Sequence, residues 1–187
     1  MRLIVSLLFA LALTSCDRQK AEAPQAPVAE EQSGKGLDRS HKGEAAPAAK
    51  FRNPDGGDFD LSKFRGTPVL VNLWASWCAP CIKELPTLQQ LEATQADEGK
   101  LGVIAVSQDQ GPQGSVEAFL AERDIGRFAA YHDPDMKLTD ALKIQVMPTT
   151  ILYDAQGREV WRYVGDMDWA SKEAARLLAE LGQSKAI

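Results

Sequence analysis

Residues 69–81 read Val-Leu-Val-Asn-Leu-Trp-Ala-Ser-Trp-Cys-Ala-Pro-Cys, and this stretch is the strongest indication of the fold. Val69–Trp74 is a nearly continuous apolar run, which is typical of a strand covered on both faces in a parallel sheet. Cys78 and Cys81 follow it directly. Beyond them, apolar residues recur at helical spacing: Ile82, Leu85, Leu88 and Leu91. The stretch therefore predicts a buried strand, a C-x-x-C pair and an amphipathic helix, in that order.

Two further strand patterns flank this unit. Residues 101–106 form a second apolar run and predict another buried strand beside the first. Upstream, residues 50–52 and 59–61 lie on either side of Asn-Pro-Asp-Gly-Gly at 53–57, which is a dense turn signal. These residues predict an N-terminal β-hairpin.

The second half of the chain predicts three helices and another hairpin. Ser115 is a suitable N-cap for the first helix, residues 136–142 favour a shorter one, and the last begins at about Trp169. Between the last two helices, Thr149–Tyr153 and Glu159–Val164 predict a hairpin. The order is βαβ, then α, then ββα, which places the chain in the α/β class.

Composition narrows the kind of protein. The chain has 187 residues and carries a net charge of −5, from 21 basic and 26 acidic side chains. These values fit one globular domain with attachments, and the sequence offers no basic cluster for binding phosphates, so we expect no nucleic-acid partner. Only three cysteines occur, too few for a small domain held together by several disulfides.

The N-terminus predicts export and anchoring. Residues 3–13 are a largely apolar run of eleven, shorter than the roughly 18 residues that a membrane-spanning helix needs. The run ends in Leu-Thr-Ser-Cys at 13–16, which resembles the bacterial lipobox and implies that Cys16 carries lipid. The alternative is an ordinary secretory signal with an incidental cysteine. Asp17 resembles the residue that retains lipoproteins in the inner membrane, facing the periplasm.

The predicted domain boundaries follow from this pattern and from composition. Residues 1–15 are predicted to be the signal peptide, and residues 16–45 to be the lipidated cysteine with a flexible linker. The linker is polar and carries few large aliphatic side chains, so it cannot bury enough surface to become ordered. Residues 46–187 are predicted to form the folded domain.

The position of Cys78 and Cys81 predicts thiol chemistry. Near a helix N-terminus, unpaired N–H groups and the helix dipole stabilise a thiolate, so Cys78 is expected to attack a partner disulfide. Cys81, one turn further on, should be shielded and should then attack Cys78 to release the partner. The alternatives are a static disulfide and a zinc site. A zinc site needs four ligands, and the other candidates are His41 and His132.

Residues 71–86, from Val71 through the C-x-x-C pair to Pro86, resemble the TlpA/ResA/DsbE branch of thioredoxin-like proteins. The resemblance implies a thioredoxin-like fold, with a central mixed β-sheet flanked by helices and an added N-terminal β-hairpin. It implies reduction of disulfides in exported proteins, in cytochrome c maturation or respiratory oxidase assembly. It also implies a membrane electron donor of the DsbD or CcdA kind, and no cofactor beyond the redox-active disulfide of Cys78 and Cys81.

Two further landmarks of that branch concern substrate binding. Residues 146–150, Val-Met-Pro-Thr-Thr, resemble the loop with a cis proline, which implies that Met147 and Pro148 offer backbone groups to a bound chain. The alternative is a trans proline that begins a strand. Trp77 and Trp74 resemble the aromatic pair around the site, although Trp74 is equally suited to the core.

Glu84 resembles the acidic residue that influences proton transfer in this branch. A partly buried carboxylate three residues after Cys81 could accept its proton. The alternative is a solvated helix acid paired with Lys83 or a later base. Thioredoxin has a buried aspartate at the strand position of Asn72, so that proton acceptor is missing here, and Glu84 gains interest.

Other interpretations of the cysteine pair remain compatible with the sequence. The same site could serve a periplasmic oxidant or isomerase, since a sequence does not set a reduction potential. Cys78 and Cys81 could instead bind Cu(I) as soft ligands in an assembly factor. His132 lies in a polar stretch at 131–135, for which we predict a loop with a structural or solvent role.

Overall fold

The computed structural model describes residues 35–126 and 128–183. The predicted signal peptide and the lipidation of Cys16 lie outside these ranges. Within them, no helix is both long and apolar enough to cross a bilayer.

Eight strands form one mixed sheet, in the order β1-β8-β7-β4-β5-β6-β2-β3. The strands are β1 (Gly36–Asp38), β2 (Phe51–Arg52), β3 (Asp58–Phe59), β4 (Val69–Trp74), β5 (Gly102–Ser107), β6 (Ala130–His132), β7 (Thr149–Tyr153) and β8 (Glu159–Val164). The central strands β4, β5 and β6 are parallel, and β7 runs antiparallel to β4. The predicted hairpins are confirmed as β2–β3 and β7–β8.

Helices cover both faces of the sheet. They are α1 (Ala79–Glu98), α2 (Gln113–Ala121), α3 (Lys137–Ala141), α4 (Lys172–Leu178) and α5 (Glu180–Gln183), with a 3-10 turn at Leu61–Phe64. Two helix starts differ from the predictions. Pro112, not Ser115, precedes α2 as its N-cap, and α4 begins after Ser171, whose hydroxyl accepts a hydrogen bond from the Ala174 N–H at 3.1 Å.

Alternation along β4 divides the core into two clusters. Leu70 and Trp74 face the cluster shared with α1, α2 and α4, whereas Val71 and Leu73 face the cluster shared with α3 and the N-terminal hairpin. Successive strand side chains point to opposite faces, so one apolar strand serves both. The strand is buried throughout, as the sequence predicts.

The predicted start of the domain at residue 46 is too late. Gly36–Asp38, assigned above to the linker, pairs antiparallel with β8, and Leu37 packs against the core. Further along, Ala45 forms a bridge with Arg158. The edge of β8 presents unpaired N–H and C=O groups that another strand can satisfy, and composition does not report such pairing.

The stretch containing His132 also differs from its prediction as a polar loop. Ala130–His132 is strand β6, parallel to β5. His132 is buried, with its Nε2 2.6 Å from the carbonyl oxygen of Asp109. The Asp133 carboxylate accepts hydrogen bonds from the N–H groups of Lys137 and Leu138 at the start of α3. His132 and Asp133 therefore stabilise the loop after β5 and the start of α3. The composition of a short strand does not reveal such contacts.

Candidate active site

The cysteine pair lies where β4 gives way to α1. Cys78 and Cys81 are joined by a disulfide, with their Cα atoms 5.3 Å apart. Cys78 is the N-cap of α1, and the Cys81 N–H points at its sulfur at 3.3 Å. Pro80 lies in the first turn of α1, where backbone N–H groups make no hydrogen bond within the helix, so a proline costs nothing there. Cys78 is 6% exposed and Cys81 is completely buried, so a partner reaches the pair through Cys78.

A carboxylate at the end of β5 holds the loop before the cysteines. Asp109 accepts hydrogen bonds from the Ser76 N–H at 3.0 Å and the Ser76 hydroxyl at 2.7 Å. It also accepts one from the Ser107 hydroxyl at 2.7 Å. Asp109 is not among the predicted site residues, although a polar residue just beyond a buried parallel strand is a signal for this end of a sheet.

The two tryptophans near the pair have different surroundings. Trp77 is 68% exposed beside Cys78. Trp74 is buried and packs against Phe119, with ring centroids 5.6 Å apart. The alternative assignment of Trp74 to the core is therefore confirmed, whereas Trp77 offers an exposed aromatic surface next to Cys78.

The loop before β7 contains a cis peptide bond between Met147 and Pro148, so the trans alternative is wrong. Thr149 pairs with Leu73 near the C-terminal end of β4. Pro148 therefore lies at the end of the sheet where the loop to the cysteines begins. The Pro148 carbonyl accepts a hydrogen bond from the Gly165 N–H at 2.8 Å. Met147 is half-buried and packs against the cluster that contains both cysteines.

Glu84 is a buried acid, not a solvated one. Its side chain lies on α1 one turn after Cys81, and the residue is 2% exposed. Oε1 accepts a hydrogen bond from Asn72 Nδ2 at 2.7 Å, and Oε2 accepts bonds from the Met167 N–H at 2.9 Å and Trp169 Nε1 at 3.2 Å. The alternative of a pair with Lys83 is wrong, because Lys83 binds Asp166 at 3.2 Å.

Burial is the main influence on the pKa of Glu84. Removal from water raises its pKa from 4.5 to about 7, although the donors from Met167, Asn72 and Trp169 act in the opposite direction. Asp166 adds to the rise. A cavity of about 230 Å³ adjoins the carboxyl and is lined by Lys83, Glu84, Thr87, Asp166, Met167 and Asp168. The group can therefore exchange a proton near neutral pH.

Potential metal ligands do not form a cluster in the part of the chain that the structure describes. Across residues 35–126 and 128–183, no three or more His, Cys, Asp or Glu side chains converge in a way that could hold an ion. His41 lies 3.1 Å from Glu44, and His132 contacts Asp109.

Comparison with known proteins agrees with this geometry. The Redoxin family model matches residues 41–178. The thiol-disulfide oxidoreductase ResA of Oceanobacillus iheyensis is 35% identical over 62% of this chain and 60% of its own length. ResA of Halalkalibacterium halodurans is 30% identical over 67% of this chain and 69% of its own length.

Among solved structures, a thiol:disulfide interchange protein DsbE from Chlorobium tepidum superimposes with a TM-score of 0.66. It is 30% identical, and the alignment covers 75% of this chain and 98% of that one. The structural match covers the thioredoxin-like core that carries the cysteine pair. Since the family model also matches most of the sequence, the chain belongs to the Redoxin family, in its TlpA/ResA/DsbE-like branch of thiol-disulfide oxidoreductases.

Proposed function

We propose that this protein is a protein-disulfide reductase that acts by dithiol-disulfide exchange. The observation that carries the proposal is the asymmetric disulfide at the start of α1, in which Cys78 is slightly exposed and Cys81 is completely buried. The names of the ResA and DsbE relatives support the same activity.

In the reduced protein, the helix N-terminus stabilises the Cys78 thiolate. The thiolate attacks one sulfur of a partner disulfide, a mixed disulfide forms, and the other partner sulfur leaves as a thiolate. Cys81 then loses its proton and attacks the Cys78 sulfur, which releases the second partner thiolate. Two electrons pass to the partner, and the protein ends with the disulfide seen here.

Glu84 is suited to accept the proton of Cys81. The two residues are three apart on one face of α1, which brings their side chains close together. A group with a pKa of about 7 can take a proton from a thiol and return it to solvent near neutral pH. The adjoining cavity supplies the route to solvent.

The surface around Cys78 is suited to an extended polypeptide. Trp77 presents an exposed aromatic ring on one side. Met147 and Pro148 directly precede β7, whose first residue pairs with β4 near the end from which the cysteine loop leaves. We propose that these three residues bind the chain on either side of the partner disulfide.

The natural partners follow from the N-terminal signals and from the relatives. The lipobox-like sequence supports a lipid anchor on Cys16 in the inner membrane, with the domain facing the periplasm. The substrate is then an exported protein with a disulfide, and apocytochrome c is the favoured candidate. A membrane thiol donor of the DsbD or CcdA kind would return the pair to the reduced state.

The first test is the reduction potential of the Cys78–Cys81 pair, measured against glutathione and dithiothreitol buffers with tryptophan fluorescence. We expect a value near that of thioredoxin, about −270 mV, whereas a value near −120 mV would identify an oxidant and contradict the proposal.

Two variants test the order of attack. Cys81→Ser should accumulate a mixed disulfide with a model disulfide peptide, and Cys78→Ser should form none. Mass spectrometry of the non-reduced reaction distinguishes them. Equal trapping by both variants would show that Cys78 is not the attacking residue.

A further inference from the structure

Asn72 has an unusual set of partners in the middle of β4. Its Nδ2 group donates to Glu84 Oε1 at 2.7 Å and to Thr150 Oγ1 at 2.9 Å. Its Oδ1 atom is buried and has no hydrogen-bond partner among residues 35–126 and 128–183. A buried carbonyl oxygen without a donor destabilises a protein, so an amide kept in this state calls for an explanation.

The hydrogen bonds of Glu84 indicate which of its oxygens takes a proton. Oε2 already accepts from two donors, the Met167 N–H and Trp169 Nε1, which fills the two acceptor positions of that atom. Among the described residues, Oε1 accepts from Asn72 alone, and rotation of that amide can withdraw the donor. Protonation of Glu84 therefore places the hydrogen on Oε1, the oxygen that faces Asn72.

The charged groups that line the cavity beside Glu84 come from α1 and from the segment after β8. Asp166 and Asp168 line the cavity next to it, and Lys83 is paired with Asp166. On the sheet side, β4 and β7 contribute Asn72 and Thr150, which are neutral. The side chains that the strands place near Oε1, Asn72 and Thr150, can therefore both donate and accept hydrogen bonds.

We propose that the side-chain amide of Asn72 is a positioning group that turns over when Glu84 Oε1 gains or loses its proton. With the carboxylate, Nδ2 donates to Oε1, as in this structure. With the carboxylic acid, rotation by half a turn brings Oδ1 to the same place, where it accepts the Oε1–H.

Thr150 allows this rotation at little cost. A hydroxyl both donates and accepts, so Thr150 Oγ1 can accept from Nδ2 in one state and donate to Oδ1 in the other. One amide atom stays without a partner in each state, Oδ1 in the first and Nδ2 in the second. The two orientations therefore have similar hydrogen bonding, and the protonation of Glu84 selects between them.

This inference rests on the proposed function, in which Glu84 receives the proton of Cys81. The proton passes from the Cys81 thiol to Glu84 Oε1, and the electron pair stays on the Cys81 sulfur for its attack on Cys78. Asn72 does not react. It keeps Oε1 hydrogen-bonded both before and after the transfer.

The test uses the full chain, reduced and isotope-labelled, in an NMR titration from pH 5 to pH 9. We expect the Asn72 side-chain NH₂ signals to shift with the same midpoint as the Glu84 carboxyl carbon. Constant Asn72 signals during titration of Glu84 would overturn the inference. The wild-type measurement decides the question even where a variant fails to fold.

A variant adds a kinetic readout. Asn72→Leu removes both the donor and the acceptor at similar volume, so the Glu84 midpoint should rise by about one pH unit. Release of the mixed disulfide by Cys81 at pH 7 should then be about tenfold slower, with the first attack by Cys78 unchanged. An unchanged midpoint in the folded variant would contradict the inference.

Gln89→Leu is the matched control. Gln89 also lies on α1 and carries a buried amide oxygen without a partner in the described part of the chain, but it is not one of the donors to Glu84. It should leave both the midpoint and the release rate unchanged. Absence of disulfide exchange in the wild type would count against the proposed function instead, and the titration would still decide the role of Asn72.

Discussion

Glu84 holds a carboxyl group inside the protein at the junction of three elements. Asn72 of β4 and, from the segment after β8, Met167 and Trp169 donate to it, yet burial outweighs these donors and its pKa rises to about 7. A buried group with such a pKa links the stability of the fold to pH. Burial of Glu84 therefore weakens the fold at high pH.

The Glu84→Gln variant tests that link. Between pH 4.5 and about 7 the folded protein binds this proton and the unfolded chain does not, so the free energy of unfolding falls as pH rises. The loss is about 3 kcal/mol, complete above pH 7. Glu84→Gln should remove this slope in urea unfolding of the oxidised protein at pH 5, 6, 7 and 8.

Glu173→Gln is the control for that measurement. Glu173 is exposed and paired with Arg176, which lowers its pKa, so it titrates below the tested range. This variant should keep the wild-type slope. A slope that persists in Glu84→Gln would place the coupling to pH on another group.

At the scale of elements, β1 closes one edge of the sheet. Gly36 pairs with Val164 and Asp38 with Arg162, so the backbone groups of β8 on that side have partners. Leu37 opposes Tyr163 and packs on the core. The strand is short, but an uncovered edge strand would invite pairing with another chain.

Leu37→Asp tests the contribution of β1. A charged side chain loses the apolar contact and is poorly solvated there, so the free energy of unfolding should fall by about 1 to 2 kcal/mol. Urea unfolding followed by tryptophan fluorescence measures it. Lys42→Ala, in the exposed turn that follows, is the control and should have little effect. Equal stability of the two variants would show that β1 adds nothing to the sheet.

At the scale of the whole molecule, the sheet separates the reactive face from a supporting face. The cysteines, Leu85 and the α1 side chains belong to one core cluster, and Leu138 of α3 belongs to the other. Both leucines are completely buried. Packing defects on the two faces should therefore have similar costs in stability but different effects on the site.

Leu85→Ala and Leu138→Ala separate these effects. Each should lower the free energy of unfolding by about 2 to 5 kcal/mol through loss of contacts and formation of a cavity. Under conditions where both variants are folded, only Leu85→Ala should alter the rate of disulfide exchange, because Leu85 adjoins Glu84 on α1. Similar rate changes in both would mean that the two faces are coupled through the sheet.

Much of the fold and the centre of the site could be predicted from local patterns. The apolar run of β4, the helical spacing after it and the turn signals of both hairpins are confirmed, because each depends on residues close together in the chain. The cis bond before Pro148 is confirmed as well. It came from resemblance to a family, not from local physics.

The remaining features depend on contacts between distant residues. Glu84 meets Asn72 from 12 residues away, Met167 from 83 and Trp169 from 85. Periodicity in the sequence does not predict these contacts. It does not predict the pairing of Gly36–Asp38 with β8 either.

The cysteine pair, its place between a buried strand and a helix, and the fold class could all be predicted from the amino-acid sequence. Only the tertiary structure decided that Glu84 is buried, which donors hold it, and where the domain begins. The physical reason is that hydrophobic periodicity acts over a few residues. A pKa, by contrast, depends on every group that the folded chain brings near the carboxyl and on the water that it excludes.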